Sequence, residues 1–237
     1  FDGLVSVTVF DAERIVPTKN RRYYTQSFFR DREDLLWRGE VQATAGDFLA
    51  EFVVPKDISY SNETGRIAVY AQGAGTQAIG YTEQFIVGGT SDSPPNDDLG
   101  PELMLFLNDT TFVAGQKVNE DAELIVQLND QSGINTVGTG VGHEMLLSLD
   151  GNDAAAQDIG SAFVAEPNSY QKGTVTWPLT GMAAGSHTLS VRAWDVLNNS
   201  NTAQLSFEVA NNEVLDVINV YNYPNPMNRE TRFVFEH

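Results

Sequence analysis

The stretch Gly185–Val209, GSHTLSVRAWDVLNNSNTAQLSFEV, constrains the fold more than any other. From Thr188 to Ala193, the apolar Leu189, Val191 and Ala193 alternate with Ser190 and Arg192, the period of a strand with one face buried. Asp195 and the run Asn198–Asn199–Ser200–Asn201 then supply short polar side chains that bond nearby backbone and tolerate left-handed conformations. Ala203, Leu205, Phe207 and Val209 resume the alternation. The stretch predicts a hairpin that closes a strand-built unit. Its Asp195 carboxylate is expected to accept N–H groups of the Asn198–Asn199 turn, which makes it a stability site.

No window keeps a helical period over three turns, and twenty glycines and nine prolines punctuate short alternating runs. With 237 residues and 41% hydrophobic content, the chain can bury one large core or two ordinary ones. The expected fold is all-β: two tandem β-sandwich domains, the second immunoglobulin-like, then the truncated start of a third β module.

Residues 1–88 form the first expected domain. Its strands are read at Leu4–Phe10, Leu36–Thr44, Asp47–Val54, Gly65–Ala71 and Tyr81–Val87, with Ala45–Gly46 as a tight turn and Gly73–Gly80 as a flexible one. Residues 11–35 are a long loop. Between Asp11 and Arg38 lie Arg14, Lys19, Arg21, Arg22, Arg30, Arg32 and Arg38, interleaved with Asp11, Glu13, Asp31, Glu33 and Asp34, so internal ion pairs are expected. The aromatics Tyr23, Tyr24, Phe28 and Phe29 suggest that this loop lies on a surface. Residues 89–100, within GGTSDSPPNDDLG, have almost nothing to bury and are a linker.

Residues 101–211 are the second expected domain. Strands at Leu103–Leu107, Thr111–Val113, Ala122–Leu128, Met145–Leu149, Phe163–Val164 and Gly173–Leu179 join the hairpin to meet the needs of an immunoglobulin-type sandwich. Pro178 places the last of these at an edge. Residues 212–237 are a linker and the first strand of the truncated module, with Phe233 and Phe235 on one face. That tail is expected to pair with an edge strand or to lie against the second sandwich, of the same or a neighbouring molecule. Starting without Met and ending inside an alternating run, the chain is expected to be a piece of a larger protein.

A net charge of −18 argues against nucleic acid as a partner, because phosphates would be repelled. No run of about 18 apolar residues offers a membrane-spanning segment. The absence of cysteine excludes a disulfide framework, a thiolate zinc site and a cysteine nucleophile within these residues. The glycine-rich Gly73–Gly80 has no following helix and no phosphate-loop Lys or Ser.

Three stretches go beyond generic strand signals: GPELMLFLND (Gly100–Asp109), NDQSGINTVGTGVGHEMLLSLDG (Asn129–Gly151) and YPNPMNRETRFVFEH (Tyr223–His237). In that order, with Ala193–Trp194–Asp195 before the last, they resemble the region following the catalytic domain of the type IX secretion sortases, gingipain-like cysteine peptidases of the Bacteroidetes outer membrane. The resemblance covers residues 100–237 well and residues 1–99 loosely, through the strand–PKDI–strand pattern near Val54–Ile58. It implies a cell-surface, outer-membrane parent that removes C-terminal signals from secreted cargo and helps attach that cargo to lipopolysaccharide. It also implies three partners: an upstream catalytic domain of the same chain, secretion-system components and cargo proteins. The YPNP motif is similar, too, to the start of flagellar hook-capping modules and of C-terminal secretion-signal domains.

The family's Cys–His pair belongs to the catalytic domain, so no catalytic residue carries over, and His143 and His187 are expected at turns or the core rim. No cofactor-binding residue is assigned. No metal ligand is assigned either, although acids crowd the stretch from Asp92 to Asp158 with Lys117 as its sole base. Hard oxygen ligands on loops suit calcium, for which Asp130 and Asp195 would be the first candidates. The competing reading of the whole chain is an adhesin or carbohydrate-binding sandwich with no enzymatic parent.

Overall fold

The first ninety residues are organised around a valine-rich strand flanked on both sides. The structure, a computed structural model, describes residues 1–18, 27–32, 34–136, 142–210, 218–226 and 229–236. Eight strands lie in the first part: β1 (Gly3–Phe10), β2 (Arg14–Pro17), β3 (Phe28–Asp31), β4 (Leu35–Ala43), β5 (Glu63–Thr64), β6 (Arg66–Gly73), β7 (Thr76–Thr82) and β8 (Ile86–Val87). An antiparallel sheet of order β4-β1-β6-β7 carries the fold. Val5, Val7 and Val9 of β1 alternate into its covered face and pack with Leu36, Val41 and Ala43 of β4. Burial of each such side chain is worth roughly 1.5–3 kcal/mol.

Several sequence expectations for this part are corrected. The segment 47–54 is not a strand. After the turn at Ala45 (φ 55°) and Gly46 (φ 95°), the chain makes one bridge, Thr44 to Asp47, and then crosses the covered face of the sheet. There Phe52 stacks on Trp37 with ring centroids 5.0 Å apart. Ala50 and Phe52 pack against the first core, so the run serves as a cover of the sheet, while the outer edge of β4 meets Asn168 instead.

The loop 11–35 contains the hairpin β2–β3, pinned by Arg14–Asp31 at 2.9 Å and Arg30–Glu13 at 2.8 Å. Phe28 and Phe29 are exposed on it. Lys19, Arg21, Arg22, Tyr23, Tyr24 and Glu33 lie outside the described residues. Gly73–Gly80 is a flexible turn only at its start: Ala74–Gly75 is the turn, and Thr76–Thr82 is the strand β7.

The second part holds β9 (Glu102–Leu107), β10 (Lys117–Val118), β11 (Ala122–Asn129), β12 (Leu146–Leu149), β13 (Gln157–Asp158), β14 (Phe163–Ala165), β15 (Lys172–Leu179), β16 (Gly185–Trp194) and β17 (Ser200–Val209). They form two facing sheets, of orders β10-β17-β16-β12-β13 and β14-β15-β11-β9. Leu124, Val126 and Val175 of one sheet meet Leu189, Val191 and Phe207 of the other in a single core. The hairpin β16–β17 runs in unbroken register from Gly185 opposite Val209 to Trp194 opposite Ser200.

Thr111–Val113 is not an edge strand. Asp109 ties Thr111 into a turn, and the edge is Lys117–Val118, parallel to Glu208–Val209. Pro178 lies beyond the reach of β14, which covers only Gly173–Val175, so its missing N–H is not needed on that side.

The tail is also corrected. It is not one strand added to a sandwich edge but two strands, β18 (Ile218–Tyr223) and β19 (Arg232–Glu236), which among the described residues pair with each other alone. The tail folds back on itself between Tyr223 and Arg232, and each strand bonds to the other along one side. Residues 211–217 lie outside the described residues, as does the side chain of Phe235, while Phe233 is exposed. Among the described residues there is no α-helix, and no helix is long and apolar enough to cross a membrane.

Candidate functional site

The polar side chains that the core excludes gather where the two parts of the chain meet. The PKDI segment before β5 reaches across: the Lys56 N–H donates to the Val196 carbonyl (2.9 Å) and Lys56 Nζ donates to the Leu197 carbonyl (2.8 Å). Asp57 follows with both carboxylate oxygens engaged. Oδ1 accepts from Asn198 Nδ2 at 3.0 Å, and Oδ2 lies 2.5 Å from His143 Nδ1. The His143 ring packs on Trp194, centroids 4.3 Å apart. His143 is thus a contact between the two parts rather than a rim residue of one. Gly138 and Gly140, in the run that leads into it, lie outside the described residues.

Immediately beside this contact, three carboxylates converge. The loop after β11 runs antiparallel to the loop after β16, with Asn135 N–H donating to Trp194 O and Val196 N–H to Gly133 O. That docking brings Asp130 and Asp195 together, and Asp97 joins them from the strandless stretch 88–101, all three offering an oxygen within 4.8 Å of one another. Asp195 is fully buried and Asp130 is 6% exposed. Asp195 Oδ1 accepts N–H groups of Leu197 (2.9 Å) and Asn199 (2.7 Å). Asp130 Oδ1 accepts those of Ser132 and Gly133. Asp97 Oδ2 accepts from Ser132 Oγ at 2.6 Å.

Electrostatics at this cluster are uncompensated. Burial pushes the Asp130 carboxyl up to about 6, against the pull of its two N–H donors, and Asp195 and Asp97 push the same way. Asp195 is also raised, first by burial and then by Asp97, despite its donors. Among the described residues no basic side chain pairs with any of the three. Such a cluster can share protons or hold a hard cation by its oxygens. Sequence reasoning singled out Asp130 and Asp195 on their separate loops. It missed Asp97, which sits in a spacer-like composition, and Asp57, whose only signal was the PKDI pattern.

The chain has no cysteine nucleophile, and its two described histidines are engaged by carboxylates. Both ring nitrogens of His187 are taken, by Asp150 Oδ2 and the Ala183 carbonyl, each at 2.7 Å. Asp150 raises the His187 pKa, and the Thr188 N–H and His187 lower that of Asp150, as in a structural ion pair. Among the described residues no hydroxyl is hydrogen-bonded to His143 or His187, and the chain has no cysteine. An apolar cavity of about 840 Å³ lies between the covered face of the first sheet and the 88–95 stretch, lined by Val9, Leu36, Phe52, Ile67 and Phe85. Lys56 is its one charged lining residue. It has the walls of a core, not the convergent polar groups of a catalytic pocket.

No family model and no curated protein matches the chain. Among solved structures it is similar to dimeric latent PorU from Porphyromonas gingivalis, at 30% sequence identity over 100% of this chain and 22% of that one, with a TM-score of 0.49. The chain thus spans about a fifth of the length of that protein.

Proposed function

We propose that the chain is the non-catalytic, strand-rich region of a larger gingipain-like protein related to the type IX secretion sortases, and that it positions a neighbouring catalytic domain. The observation that carries this reading is the junction between the two parts. PKDI, the NDQSG-to-GHE stretch and the Ala193–Trp194–Asp195 turn, all segments that resemble that family, meet at one contact built from Lys56, Asp57, His143 and Asn198. A contact of this kind fixes an angle between two bodies and leaves no cleft for a substrate. The sequence identity to PorU supports the same reading. On it, residues 1–88 and 101–211 are two domains joined by 89–100, the second of immunoglobulin-like type, and 212–237 belongs to a further module at the cell surface.

The test has two arms. The isolated chain should show no peptidase activity with or without reducing agent. Turnover that survives repurification and disappears in a single point variant would overturn the reading. In the full-length protein, Asp57→Ala should impair processing of folded cargo while cleavage of a short peptide is unchanged. A full reading frame with no upstream cysteine–histidine domain, together with glycan binding by the isolated chain, would favour an adhesin instead.

A further inference from the structure

We propose that Arg192 and Trp194, side by side on the outer face of β16, form a binding site for a single peptide carboxylate. The proposal does not rest on the family reading. Alternation sends Leu189, Val191 and Ala193 into the core and turns Arg192 and Trp194 to the opposite face. There the Arg192 guanidinium carbon lies 5.8 Å from the centre of the Trp194 ring. His143 packs on the same ring with centroids 4.3 Å apart, and the Trp194 carbonyl accepts from the Asn135 N–H. The indole is therefore fixed before any ligand arrives, so little freedom is lost on binding.

Both side chains carry a donor that the chain itself does not satisfy. Arg192 Nε and Trp194 Nε1 are shielded from solvent, and neither has a hydrogen-bond acceptor. Native chains rarely leave such groups unpaired, because burial removes the water that would otherwise accept from them. The charge of Arg192 is equally unanswered. Among the described residues two cations are partly buried, Arg32 and Arg192. Arg32 holds Glu13 and Glu83, whereas no carboxylate pairs with Arg192. Acids are not scarce, since 32 of them stand against 14 bases. Those closest to Trp194 are committed elsewhere: Asp57 accepts from Asn198 and contacts His143, and Asp195 accepts from Leu197 and Asn199.

The donors select the ligand. A guanidinium presents Nε and one terminal nitrogen as a planar fork, which matches the two oxygens of a carboxylate, and the indole N–H adds a third donor. A net charge of −18 repels polyanions such as nucleic acid and leaves an isolated monoanion as the acceptable guest. Binding breaks no internal bond, since neither N–H has one to lose, and it recovers the cost of two unpaired donors. The long arginine side chain turns to admit the carboxylate while the indole stays in place.

The chain has three tryptophans, so the indole N–H signals of a nitrogen–proton correlation spectrum are simple to follow. Trp177 already donates to Gln157 and serves as the internal control. Two probes at constant ionic strength separate the sources of the carboxylate. One is an N-terminally blocked alanine peptide with a free C-terminus, the other a doubly blocked peptide with a single glutamate side chain. Over roughly 0.1–20 mM, at least one should move the Trp194 signal along a saturating curve and leave Trp177 in place. Arg192→Gln should abolish saturation at an unchanged melting temperature. Trp194→Phe keeps the ring and loses the N–H, and should weaken binding, followed at the Arg192 Nε signal, by about threefold to tenfold. Absence of a saturating Trp194 shift with both peptides overturns the proposal. So does saturation that survives Arg192→Gln, or an equal shift with a doubly blocked peptide that lacks the acid.

Discussion

At the scale of single residues, Asp195 shows how a local acceptor becomes a long-range constraint. Its carboxylate takes two backbone N–H groups and the Asn199 amide, so Asp195→Ala leaves buried donors unpaired at a cost of about 1–3 kcal/mol. Asp195→Asn keeps the Oδ1 acceptor and should lose much less, an order that thermal unfolding of the two variants will check. Asp130 makes the complementary case, because here the charge itself is the burden. With its pKa raised from 3.8 to about 6, the folded chain holds a proton that the unfolded chain releases. That contribution is complete below about pH 4 and is lost as pH rises through 6. Asp130→Asn should therefore gain on the wild type between pH 4 and 7, by up to roughly 3 kcal/mol, when melting is followed in chelator. If calcium acts through these oxygens, it will raise the melting temperature of the wild type and not of the variant. The Asp195 role was legible in the sequence because an Asx-type turn spans only a few residues. The approach of Asp97 was not, since nothing local records which loop a linker will pass.

At the scale of elements, alternation found every strand that has both a buried face and turn residues at its ends. The hairpin β16–β17 and the central strands β1, β11 and β15 are of this kind. It failed where one apolar run could serve two purposes. Asp47–Val54 has the composition of a strand, yet its Ala50 and Phe52 pack against the first core as a cover. It also failed at Gly80, a glycine taken as a turn signal that lies within β7. Two glycine substitutions separate such roles. A Cβ added at Gly100 would lie 2.3 Å from the backbone carbon of Ser200, so Gly100→Ala must push the entry to β9 off β17. It should lower the melting temperature by several degrees, whereas Gly80→Ala, with open space around its Cβ position, should be neutral or slightly stabilising.

At the scale of the whole molecule, two hydrophobic cores are held in one arrangement by a few loop contacts. The cores themselves share no buried residue, one drawing on Val5–Val87 and the other on Leu105–Val209. Asp57→Ala removes the acceptor of both His143 and Asn198 and should free the two parts without unfolding either. The expected signs are faster proteolysis within residues 89–100 and a larger radius by X-ray scattering, at an unchanged melting temperature. The spacer-like composition of residues 89–100 was legible in the sequence, because a stretch with nothing to bury stands out. The junction was not, because its partners are 86 and 141 residues apart in sequence.

One consequence of that junction concerns divergence. Core strands accept any apolar residue of suitable size, so they can drift while keeping the same pattern. The Asp57, His143, Asp195 and Asn198 contacts are specific pairs of atoms on loops and permit no such exchange. Across related chains the usual order should be inverted, with the loops at the junction varying least and the strands varying most.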